Sequence, residues 1–186
     1  PALKTLATAA PDKRARIHAI RAVGQLARKD PAALGNLLLG LAQTAEGALR
    51  VQAIRALGSA TEIVRQPGVA EWLKEQLEQP NPRVRLAAAL ALGRARLAGS
   101  DTDAFVGSVY RFKKPDVVLR HGLAYGLSAA LSDRMIEAHR ADTDREARQL
   151  VLLAARIQKS AAIRGFLSDP DPLLALEAAR AIHDLP

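Results

Sequence analysis

The sequence predicts an all-α fold, an α-solenoid of about six stacked helical hairpins, and three observations predict it. A motif returns in register: Arg16-Ile17-His18-Ala19-Ile20-Arg21-Ala22-Val23-Gly24, then Arg50-Val51-Gln52-Ala53-Ile54-Arg55-Ala56-Leu57-Gly58, then Arg85-Leu86-Ala87-Ala88-Ala89-Leu90-Ala91-Leu92-Gly93. The leading arginines are 34 and then 35 residues apart, and a fixed period in this range marks units that bury their apolar faces against their neighbours. Apolar residues make up 49 % of the chain, mostly Ala and Leu, against 3 % aromatics; small side chains of high helix propensity let helices approach closely. Finally, alternating runs rich in Val, Ile and Thr, which would read as strands, are missing.

Each copy reads as the second helix of a hairpin. Ala32 to Gln43, after Asp30-Pro31, is the first helix before Arg50, and Val69 to Gln79 is the first helix before Arg85. Asp103 to Lys113 precedes a fourth copy, Arg120-His121-Gly122-Leu123-Ala124-Tyr125-Gly126-Leu127, again 35 residues on. Arg134 to Arg140 precedes a fifth copy at Arg148, and Ala161 to Leu167 a sixth, where Ala175 takes the arginine slot. These last spacings shrink to 28 and 27 residues, so the first helices of both repeats are expected to be short. Prolines in Asp30-Pro31, Gln79-Pro80-Asn81-Pro82, Lys114-Pro115-Asp116 and Asp169-Pro170-Asp171-Pro172 forbid helix continuation and mark the reversals. No linker or composition shift interrupts residues 1–186, which read as a single repeat domain. The start at Pro1 and the end at Pro186 lead us to expect a fragment of a longer chain.

Helical phase explains the residue choices. At about 100° per residue the positions one before and three, four and seven after the arginine share a face: Leu49, Ala53, Ile54 and Leu57; Val84, Ala88, Ala89 and Leu92; Leu119, Leu123, Ala124 and Leu127. The sixth position after it is small in every copy: Ala22, Ala56, Ala91, Gly126, Ala154 and Ala181. The arginine lies near this apolar face, where an unpaired charge is costly. Asp12, Asn81, Asp116 and Asp144 stand four residues before Arg16, Arg85, Arg120 and Arg148, at expected N-caps, and Glu46 takes that slot before Arg50. These residues predict a structural ladder in which arginines bond carboxylates or carbonyls of the same and adjacent repeats. The ladder ends where Asp171 faces Ala175.

An Asp/Asn-x-x-apolar-Arg-x-x-Ala-x-x-Ala-Leu-Gly helix resembles the HEAT-repeat family, above all its short bacterial form related to phycobilisome-lyase repeats. The resemblance covers nearly the whole chain. It implies an armadillo-like, right-handed superhelix, with second helices on the concave surface. It leaves function open among scaffolds, phycobilin lyase-like subunits and DNA glycosylase-like enzymes. Asp169-Pro170-Asp171-Pro172 with Leu176 to Pro186, and Arg120 to Ala124, are also similar to the HEAT region of exported planctomycete proteins. Those chains join dehydrogenase-like propellers to HEAT repeats and a haem-binding module. That resemblance implies a periplasmic or exported setting; the haem motif itself is missing here.

Chemistry is hard to assemble. Without cysteine, thiolate metal sites, disulfides and a cysteine nucleophile are excluded within this chain. His18, His121, His139 and His183 have no partner at helical metal spacing. His18 and His183 read as solvated, and His121 as a hydrogen-bonded packing residue. Asp101, Asp103, Asp142 and Asp144 read as caps in preference to a loose cation site. Gly99-Ser100-Asp101 reads as a plain turn, and no phosphate loop or nucleophile elbow occurs. Trp72, the sole tryptophan, falls in a first helix, on its outer surface or against Leu73 and Leu77. No catalytic, cofactor-binding or metal-ligating residue is read, and no run spans a membrane. The net charge of +8 reads as arginine on solvated helix faces, with weak, salt-sensitive polyanion binding as the alternative if Arg83, Arg94, Arg96, Arg111, Lys113 and Lys114 form one patch. Specific nucleic-acid recognition is not expected.

The face opposite the core changes character along the chain. Two, five and nine residues after the arginine stand His18, Arg21, Gln25, then Gln52, Arg55, Ser59, then Ala87, Leu90, Arg94. Gly122, Tyr125, Ala129 and Leu150, Leu153, Ile157 follow, before Glu177, Arg180, Asp184 return to polar. Either Leu90, Tyr125, Leu150, Leu153 and Ile157 bind a protein segment or a neighbouring domain of the parent chain, or the short repeats bury them against one another. The function expected is a non-catalytic scaffold within a larger bacterial exported protein.

Overall fold

Helix follows helix through the computed structural model, which describes residues 2–96, 105–107, 109 and 116–184. The expectations placed on Asp101, Asp103, Arg111, Lys113, Lys114 and the Gly99-Ser100-Asp101 turn lie outside the described residues. The chain divides into two compact units, residues 1–97 and 98–186.

In the first unit α1 (Ala2–Ala9) pairs with α2 (Lys13–Leu26), and α3 (Pro31–Thr44) with α4 (Gly47–Leu57). The third hairpin has a divided first helix, α5 (Thr61–Val64) and α6 (Pro67–Gln76), against α7 (Pro82–Ala95). The break follows from Pro67, because the residue before a proline avoids the helical region and Gln66 is extended at ψ 131°. Sequence reading missed α5, whose four residues are too few to show a period, and α1, which buries only Ala7. It also ran α6 on to Gln79, whereas the helix stops at Gln76, ahead of Pro80.

Second helices stack on one another, α2 on α4 and α4 on α7. The contact is backbone-close: a Cβ added at Gly24 would lie 2.8 Å from the Ala56 Cβ, and one added at Gly58 would lie 2.9 Å from the Ala91 Cα. The small residue six places after the arginine therefore receives the glycine eight places after the arginine of the repeat before. Gly47 opens α4 at φ +54°, a left-handed conformation that other residues reach only at a cost.

In the second unit Phe105, Val106 and Val109 are buried; with Gly107 they are the described part of the first helix expected over 103–113. Next come α8 (Val117–Ala130), α9 (Asp133–His139) and α10 (Arg145–Gln158). A 3-10 helix (Ala161–Ser168) and α11 (Pro172–His183) complete the unit. The first helices of the last two repeats are short, as their spacing requires. α10 packs between α8 and α11.

The expected apolar faces are core: Leu49, Ala53, Ile54 and Leu57 on α4, Val84, Ala88, Ala89 and Leu92 on α7, and Leu119, Leu123, Ala124 and Leu127 on α8 are all buried. Asp12, Asn81, Asp116, Asp144 and Asp171 each accept a backbone N–H from the first turn of the helix they precede, a cap worth about 1 kcal/mol. Glu46 sits at its N-cap without such a bond. Among the described residues no helix is long and apolar enough to cross a membrane.

Candidate functional site

The ladder arginines are structural cations, as their partners show. Arg148 donates from Nε and Nη2 to both carboxylate oxygens of Asp169, at 2.9 and 3.2 Å, and from Nη1 to the carbonyls of Asp142 and Thr143. Arg85 donates to the carbonyls of Gln79 and Pro80, and Arg50 to the Gln76 Oε1 at 2.6 Å. Arg120 Nη2 lies 3.6 Å from Glu146, and Arg16 reaches the Ala7 carbonyl. Arg148 is buried and the other four are half-buried. Partners lie both in the same repeat and in the next one, and the cap residue four places back is not among them. Asp12, Asn81, Asp116 and Asp144 use side-chain oxygens for capping, so the arginines turn to backbone carbonyls or to the following repeat. Gln76, Glu146 and Asp169 are partners that sequence reading missed.

Asp171, whose own helix carries Ala175, is taken by Arg145 Nε at 2.6 Å. That hydrogen bond, followed by the one from the Leu173 N–H, holds the Asp171 carboxyl below the usual carboxylate range; the same contact holds Arg145 above its own ordinary value, against desolvation. Arg156 is paired with Glu177 and, at 2.7 Å, with Asp184.

Over α10, and walled by α8 and α11, runs a groove of about 740 Å³. Its floor is apolar, with Leu153, Ile157, Ala124 and Leu174. Val117, Leu173 and Leu176 stand at its edges, 76 %, 63 % and 47 % exposed. Arg120, Arg145, Arg156 and Arg180 supply its polar lining with Gln149 and Glu177, and three of these arginines are already committed to acids.

The five strip residues fare differently. Leu153 and Ile157 are half-buried and line the groove. Tyr125 is 47 % exposed, its ring edge-on to His121 at 4.8 Å. Leu90 belongs to the first unit, where it is half-buried on α7. Leu150 is corrected to core: it is 1 % exposed. The position two after the arginine is also buried at Ala87 and Gly122.

His121 is corrected as well. It is an exposed groove residue whose ring meets that of Tyr125 edge-on, not a hydrogen-bonded packing residue. His18 and His183 are exposed, and Trp72 is half-buried on α6. Asp142 accepts the Asp144 N–H and Asp144 the Glu146 N–H, which makes both turn and cap residues. Among the described residues no group of three or more His, Asp or Glu side chains is placed to hold a metal.

Comparison with known proteins follows the repeat. A family model described as HEAT repeats matches residues 1–93 and again 35–118. Two crystal structures of engineered proteins from the Northeast Structural Genomics Consortium are similar in fold. One has 17 % identity and a TM-score of 0.58 over 98 % of this chain and 96 % of its own. The other has 19 % identity and a TM-score of 0.56 over 97 % of this chain and 56 % of its own. The search of curated proteins gave no match. The resemblance to planctomycete haem-binding proteins is not supported by these matches.

Proposed function

We propose that this chain, which belongs to the HEAT-repeat family, is a non-catalytic scaffold whose groove over α10 receives an amphipathic segment of a partner protein or of a neighbouring domain. One observation carries the reading: an apolar floor of Leu153 and Ile157 lies open between second helices, with exposed Val117 and Leu173 at its edges. Side chains this apolar are not left open in a row without cost to solubility, and stacked second helices form the extended binding surfaces of solenoids. The arginines at the rim suit the polar side of the partner segment, while their own acid partners keep the groove from being a general anion trap.

The finer reading places the chain in a larger, exported bacterial protein, with residues 1–186 as one repeat domain. It rests on the resemblance of the Asp169-Pro170-Asp171-Pro172 region and on the continuity of the repeat spacing. A single unfolding transition, monitored at Trp72 in the first unit and by helicity overall, is the result expected of one cooperative domain.

The groove is tested by selecting displayed peptides about a dozen residues long against the whole chain. Selected peptides are expected to carry aliphatic residues at helical spacing and to lose binding when Leu153→Glu is introduced. Selected peptides that bind the Leu153→Glu variant unchanged would remove the groove from the account.

A further inference from the structure

The positive charge of the chain is not spread evenly. Residues 2–96 hold fifteen Lys and Arg against seven Asp and Glu, whereas residues 116–184 hold nine against ten. Within the first unit, part of that excess gathers on one face. A depression of about 230 Å³ crosses α2, α4 and α7 and is lined by Arg21, Arg28, Arg55 and Arg94, with Gln25 and Gln52 among its polar groups and, among the described residues, no carboxylate. All four arginines are exposed. Arg21 donates to the Gln52 Oε1 at 3.2 Å, a neutral acceptor that leaves its charge in place.

The second unit shows the same architecture with an arginine paired to acids. Arg156, eight places after its ladder arginine, is held by Glu177 and Asp184 of the next helix. In the first unit that place is glycine, and the places that could supply an acid, such as Gln52 and Ser59, are neutral. Four like charges around one depression raise the energy of the free protein, and an anion relieves it. The glycine contacts at Gly24 and Gly58 draw the three helices together. At packed-helix spacings of roughly 8–10 Å the charges extend over about 16–20 Å, the reach of five or six extended residues. That is a row of charges, not a point. Among the described residues the lining holds no aromatic ring on which a base could stack and no apolar floor for an amphipathic helix.

We infer that the face formed by α2, α4 and α7 docks an extended acidic peptide segment, its Asp and Glu carboxylates taken by Arg21, Arg28, Arg55 and Arg94. This is a second site, independent of the groove over α10.

The probe is a fluorescein-labelled glutamate-rich peptide about ten residues long, titrated with the whole chain by anisotropy at about 50 and about 200 mM salt. Single-stranded and duplex oligonucleotides of equal charge run in parallel. The peptide is expected to bind, to weaken at the higher salt, and to lose at least about tenfold in affinity in the Arg21→Glu/Arg55→Glu variant. Arg28→Gln/Arg94→Gln should weaken it by a smaller factor, and both variants should melt no lower than wild type, since the four side chains are exposed and losing two of four like charges relieves their repulsion. Leu153→Glu should leave the peptide's affinity within about twofold, so failure here and failure of the α10 groove are read separately. The inference is overturned if either oligonucleotide binds more tightly than the peptide, if the double charge reversal changes affinity less than twofold, or if the peptide does not bind at all.

Discussion

Removing the Arg148 side chain should be the most damaging single change in the ladder. Its side chain is 9 % exposed and that of Asp169 is 1 % exposed, so Arg148→Ala strands a carboxylate that water cannot reach. The Asp142 and Thr143 carbonyls lose their donor as well. Breaking a buried pair from one side costs about 3–5 kcal/mol, and the two charge-assisted bonds to Asp169, at about 1.5–3 kcal/mol each, give the same range. Arg148→Lys keeps the charge but not the fork, and should cost about 1–2 kcal/mol. Urea unfolding of wild type, Arg148→Ala, Asp169→Asn and the double variant measures this as a cycle. The double variant should be less destabilised than the sum of the singles, by about 1 kcal/mol or more. A loss below about 1 kcal/mol for Arg148→Ala, or strict additivity, would refute the reasoning.

Arg50→Ala should cost less, about 1–2 kcal/mol, because Arg50 is half-buried and bonds the neutral Gln76; urea midpoints report the difference. Gly24→Ala should destabilise by about 1–3 kcal/mol, since the new methyl meets the Ala56 backbone and Cβ within 3.0 Å; thermal melts check it. Lys159→Gly should stabilise by up to about 1 kcal/mol, because Lys159 closes α10 at φ +57°; an unchanged or lower midpoint would count against this. For Asp171 the sign follows from its lowered pKa. The Arg145 contact contributes stability above the ordinary carboxylate value of 3.8 and loses it as pH falls through the lower folded value. Asp171→Asn, which keeps the cap, should therefore lose less stability than wild type between about pH 5 and pH 2.

Much of this fold is written in local pattern. The arginine-led motif gives the six second helices, because one helical phase sets both the apolar face and the small residue six places on. Proline and Asp or Asn give their starts. What escaped is what depends on a second element. Gln76, Glu146 and Asp169 belong to following repeats, and only packing shows that the nearer carboxylates are already occupied in capping. Leu150 looked like a member of the Leu153 and Ile157 row by phase alone; neighbouring helices on both sides of α10 turned it into core. The small positions announced close helix approach, but Gly24 and Gly58 as the opposing partners needed coordinates. The two charge environments, an acid-paired groove over α10 and an unpaired row across α2, α4 and α7, follow from which acids the stacked helices bring near, which a linear count of charge cannot distinguish.

The most direct test of the central claim, that the row over α10 is a binding surface and not core, is the melting temperature of Leu153→Glu in the whole chain. A surface residue tolerates the charge, and the account predicts a midpoint within about 2 °C of wild type together with loss of the selected peptide. A core residue does not: burying an unpaired carboxylate would cost more than about 2 kcal/mol, roughly 4–8 °C in a domain of this size, and a fall of that order would contradict the account.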